Sequence, residues 1–147
     1  MQLFQIKALS EASLRFYRST MHQVDDYNIR RIFQQRADIY EELIHLLNAR
    51  VTHTGTANNE QLEHAITWFE TAQASIHNFD NLIFLDFLDT QENTALNALK
   101  QSVKLTNDKY LSTSLAQCAA SLQVNQDALS ALKAQYRAQQ SFTNVLT

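Results

Sequence analysis

Proline is missing from the 147-residue chain and glycine occurs once. Proline breaks helix interiors and strand hairpins need turn residues, so a chain this poor in both is expected to be nearly all helical. A single cysteine excludes an internal disulfide framework and fits a reducing compartment. No sign of charge dominates: 12 Lys and Arg against 15 Asp and Glu leave −3, so nucleic acid is not an expected partner. Long apolar runs are lacking too. The best, Leu82–Leu88, is short and interrupted by Asp86, so no membrane span is expected. The opening Met-Gln-Leu-Phe-Gln-Ile-Lys has no basic segment leading into an apolar one, so the expected location is cytoplasmic. The length suits one domain with a core of its own.

What is present is helical periodicity. The spacing predicts a first helix over about 3–22, with Leu3, Ile6, Ser10, Leu14, Tyr17, Met21 and Val24 on one stripe. Val24-Asp25-Asp26 reads as the turn, with Asp25 as the N-cap of the next helix and Val24 and Ile29 as a hydrophobic staple. That second helix, about 26–50, carries Ile29, Phe33, Tyr40, Leu43 and Leu47 on a seven-residue repeat. The segment Thr52–Asn58, with Gly55, reads as a loop. A helix over about 59–77 follows, with Leu62, Ala65, Phe69, Ala72 and Ile76 inward and Trp68 at the edge. Its apolar side does not continue into Leu85, Leu88, Leu96, Leu99 and Val103, so a break falls near His77–Asp80. The next helix spans about 81–104. The last, about 108–139, has the heptad Leu111, Leu115, Cys118, Leu122, Asn125, Leu129, Leu132 and Tyr136, with a fraying tail.

Two residues break these stripes. Arg36 fills the slot between Phe33 and Tyr40, and Glu92 lies between Leu88 and Leu96. With the helix at about 59–77 as a long crossover, the four core helices run up-down-down-up. Arg36 and Glu92 then lie at one depth, about 15–16 Å along parallel helices. Opposite charges at one level of a core are expected to pair, assisted by Tyr40, Ser13 or Asn125.

Three stretches resemble a bacterial family of ferritin-like four-helix-bundle proteins of unknown function. These are Phe16-Tyr17, the run Ile29-Arg30-Arg31-Ile32-Phe33-Gln34-Gln35, and Gln91-Glu92-Asn93-Thr94-Ala95-Leu96. The last resembles that family's Gly-Glu-x-x-Ala-Leu element, with Gln91 in place of the glycine. The resemblance covers about residues 9 to 137 and implies a ferritin-like four-helix bundle. Di-iron members of that superfamily need inward carboxylates on two helices and an inward Glu-x-x-His on each of the other two. Glu42-Leu-Ile-His45 has the internal spacing, but helical phase turns both residues opposite Phe33, Tyr40 and Leu47. The final helix contains no Glu and no His, and Glu11 lies off its stripe. No metal site, cofactor or catalytic residue is therefore expected.

Other reactive types are dispersed. Cys118 sits on an apolar stripe and reads as a small core residue. His53, His64 and His77 lie in a loop or near helix ends, and Glu60 with His64 is at most a weak surface pair. Phosphate loops, Ser-His-Asp sets and Cys-x-x-Cys are missing. Leu9 and Phe16 are displaced from their stripe, as are two of Ile83, Phe84 and Phe87, and these apolar residues are expected to cover the third helix or to form a patch for a second copy or a partner helix. The favoured expectation is a non-catalytic bundle, a homo-oligomer or interaction module. The alternatives are a degenerate or atypical metal-binding ferritin-like oxidoreductase and a carrier of apolar ligands parted around Trp68.

Overall fold

The computed structural model describes residues 3–49, 59–75 and 81–146. Five α-helices make up these residues: α1 Leu3–Thr20, α2 Tyr27–Asn48, α3 Glu60–Ser75, α4 Leu82–Leu105 and α5 Lys109–Leu146. No strand occurs among them. The expected loop at Thr52–Asn58, His53, Ile76 and the break at His77–Asp80 lie outside the described residues.

Side-chain caps set the helix starts. The N-cap of α2 is Asp26, not Asp25: its Oδ1 accepts from the backbone N–H of Asn28 at 2.8 Å and Ile29 at 3.1 Å. Asp26 also accepts a hydrogen bond from the Tyr136 hydroxyl, which ties the start of α2 to α5. Before it, a 3₁₀ turn over Met21–Gln23 shortens α1 by two residues against expectation, and Arg30 donates twice to the Val24 carbonyl oxygen, at 2.7 and 3.1 Å. Asn59 caps α3 through the Leu62 N–H, Asn81 caps α4 through the Ile83 N–H, and Asp108 caps α5 through the Leu111 N–H.

The final helix departs most from its expected form. It runs 38 residues, through Leu146, where a frayed tail was expected past residue 139. Its buried side also drifts. Leu111, Leu115, Cys118, Leu122 and Leu129 are buried, but Leu132 and Tyr136 are only half-buried and Lys133 is buried instead. A straight helix of 3.6 residues per turn slips about 20° per heptad against a seven-residue repeat. Over the three heptads from Leu111 to Leu132 that is about 60°, enough to turn the next residue inward.

Packing explains a second departure. Leu9 and Phe16, expected off the α1 stripe, are each 1% exposed, whereas Leu14 is half-buried. Helix α1 packs on both α2 and α3, so it buries two sides. Phe16 lies where these sides meet, with ring centroids 5.2 Å from Tyr17, 5.5 Å from Phe69, 5.8 Å from Trp68 and 6.0 Å from Phe84. Trp68 stacks on Phe84 at 5.9 Å, so Phe84 belongs to the core as well. Gln5, also buried, fastens α3 by donating to Glu63 Oε1 at 2.9 Å and accepting from the Asn59 N–H at 3.1 Å. On the far side α5 packs on α4 and on α2. Ile83 and Phe87 remain exposed on α4.

Candidate functional site

Four helices each send polar side chains into the core at one level. Glu92 on α4 is 3% exposed and Arg36 on α2 is 1% exposed. Their closest atoms, Arg36 Nη1 and Glu92 Oε1, are 3.9 Å apart, which is electrostatic contact but not a hydrogen bond. The direct partner of the carboxylate is phenolic. Tyr17 on α1 donates its hydroxyl to Glu92 Oε1, and Tyr40 on α2 donates to Glu92 Oε2 at 2.6 Å. Tyr17 in turn accepts from Arg36 Nη1 at 3.1 Å, so one hydroxyl is the bridge between base and acid. The two phenol rings stack nearly parallel, 11° apart, with centroids 6.3 Å apart.

The guanidinium is held from its other side by α5. Arg36 Nε donates to Asn125 Oδ1, and Nη2 donates to Gln126 Oε1 at 2.6 Å. Asn125 spends its own amide protons on the Ile32 carbonyl oxygen and Gln35 Oε1, both at 3.2 Å. From Gln126 the chain of contacts continues outward. Its amide donates to Asp89 and, at 3.1 Å, to Asn93. Lys133 Nζ then lies 2.9 Å from Asp89 and 2.7 Å from Asp86, and Asp86 also pairs with Arg137 at the surface. A continuous polar path therefore joins the buried carboxylate to exposed α4 and α5.

Proton affinities follow from burial and neighbours. Burial, and then the negative charge of Glu92, push the Tyr17 and Tyr40 phenols well above the usual tyrosine range, although Arg36 partly offsets this. Burial acts to lower the proton affinity of Arg36, but Tyr17 and Glu92 outweigh it and hold the guanidinium above its ordinary value. Hydrogen bonds from Lys133 and Arg137 hold the Asp86 carboxyl below the usual range. Burial pushes the Cys118 thiol up to about 11, with Glu42 adding to it, so this thiol is a poor nucleophile.

Of the residues singled out from the sequence, Glu92, Arg36, Tyr40 and Asn125 meet in this cluster. Ser13 does not. Its hydroxyl is buried without a hydrogen-bond partner among the described residues, and the supporting role expected of it falls to Tyr17. Glu42 and His45 are both exposed, as are Glu60 and His64. Sequence reasoning missed Tyr17 as a bridge because a tyrosine on an apolar stripe reads as core. It missed Gln126, Asp89 and Lys133 because each is the neighbour of the stripe residue, Asn125, Leu88 or Leu132.

The residues here do not fit the di-iron centre found in some members of the superfamily that the sequence resembles. Two cations need several inward anionic oxygens and imidazoles. Among the described residues the core level offers one carboxylate, both of its oxygens already accept hydrogen bonds from phenols, and a guanidinium lies beside it. Among the described residues no group of three or more His, Cys, Asp or Glu side chains converges. No helix of the described residues is long and apolar enough to cross a membrane. No protein-family model, curated protein or solved structure matches the chain.

Proposed function

We propose that the chain is a ferritin-like bundle, up-down-down-up with α3 as the crossover, whose metal centre has given way to a self-neutralised polar core. It acts in the cytoplasm, without catalysis, through its surface, as a homo-oligomer or interaction module. Contact register supports the topology. Asp26 and Arg36 on α2 meet Tyr136 and Gln126 on α5, in reversed order along the two chains, so α2 and α5 run antiparallel. Helices α4 and α5 are antiparallel too: Val103 meets Ser112 while Asp86 meets Arg137. That makes α2 and α4 parallel, as a long crossover requires.

One observation carries the functional reading: Glu92 is the one buried carboxylate among the described residues, and both of its oxygens are occupied by Tyr17 and Tyr40, within reach of Arg36. A metal ion would have to displace two phenols and tolerate a cation. The test is elemental analysis of protein purified without chelator and challenged with ferrous iron or manganese. Metal content far below one ion per chain is expected, and stoichiometric metal would overturn the proposal.

A further inference from the structure

Helices α2 and α5 leave a shallow channel between them on the surface. Two hollows, of about 480 and 430 Å³, lie along it and share Gln35 on their rims. The first is lined by Asp38, Ile39 and Val124, the second by Arg31, Ile32 and Leu132. Val124 is 70% exposed. The channel therefore sets two exposed charges of opposite sign beside exposed Val124 and the half-buried Ile39 and Leu132.

The arrangement of those charges selects the occupant. Arg31 and Asp38 stand seven residues apart, about 10 Å along α2, with Gln35 near their midpoint. Among the described residues no hydrogen bond or ion pair engages Arg31, and Asp38 only accepts from its neighbour Gln34 at 3.2 Å. A two-fold axis through Gln35 exchanges the halves of the channel. It sets Arg31 of each copy against Asp38 of the other, and the Ile32–Leu132 wall against the Ile39–Val124 wall. A surface that matches itself after such a rotation is what an isologous dimer requires.

We propose that the α2–α5 channel is the face on which a second copy of this chain docks, with its α2 antiparallel to the first across Gln35. The inference rests on the reading of a bundle that acts through its surface, and it names the partner.

Sedimentation velocity on the full chain tests it, with paired charge reversals. The wild type sediments as a dimer. Arg31→Asp or Asp38→Arg alone weakens dimerisation roughly tenfold or more, because each places like charges across the axis. An equimolar mixture of the two single variants forms a heterodimer, and the variant carrying both reversals dimerises again. Both residues are exposed, so circular dichroism is expected to show unchanged folding. A wild type that stays monomeric, or a dimer indifferent to either reversal, overturns the inference. A metal-free monomer would do so while leaving the reading of the core intact. A charge-sensitive dimer that carries stoichiometric iron supports the face and overturns that other reading.

Discussion

Tyr17 is the link between the two charged residues of the core. Its hydroxyl donates to Glu92 and accepts from Arg36, so a single oxygen satisfies an anion and a cation that stand 3.9 Å apart. Tyr40 serves only the anion. A hydrogen bond to a charged group contributes about 1.5–3 kcal/mol. Tyr40→Phe is therefore expected to destabilise the fold by about that amount, and Tyr17→Phe by more, because it leaves two buried groups short of a partner. Urea unfolding of the two variants checks the order. Equal losses, or a smaller one at Tyr17, would show that the bridge is not what couples Arg36 to Glu92. The charged pair itself was legible in the sequence, since a charge in the centre of an apolar stripe has nowhere to go but the core. The bridge was not, because tyrosine is at home in a core with or without its hydroxyl in use.

At the scale of helices, starts were easier to read than phases. Asn81 and Asp108 are short polar residues just before periodic segments and are caps in the structure. Asp25 and Asp26 offered the same chemistry one residue apart, and in the structure it is Asp26 that accepts from the first-turn N–H groups and from Tyr136. Asp26→Ala is expected to cost about 1 kcal/mol or somewhat more, since it removes both the cap and the tie to α5. Asp25→Ala should cost measurably less, which thermal melts of the two variants would show. Phase was lost where a long helix outruns the heptad approximation. The drift along α5 carried Lys133 inward and put it between Asp86 and Asp89, an ion-pair cluster invisible to a strict seven-residue template. The burial of Leu9 and Phe16 was hidden for another reason: a stripe describes one packing face, and α1 has two.

For the whole molecule, a polar core closed on itself predicts a pH response. The folded state holds the Tyr17 and Tyr40 phenols above the range in which an unfolded chain would lose those protons, about 10. The sign follows from linkage: below that pH the stabilisation is complete, and as pH rises through and beyond it the unfolded state releases protons that the folded state keeps. Stability is thus expected to fall above about pH 10, and less steeply in the Tyr17→Phe, Tyr40→Phe double variant. Urea midpoints between neutral and strongly alkaline pH read this directly; parallel slopes for the two proteins would rule it out.

The most direct measurement is a double-mutant cycle on Glu92→Leu and Arg36→Met, read by urea unfolding. Removing one member of a buried pair leaves the other unpaired, at a cost on the order of 3–5 kcal/mol. If the two charges neutralise each other inside the bundle, the double variant is more stable than either single one. Losses that simply add would mean that each charge is balanced by something else, and the central claim would fail.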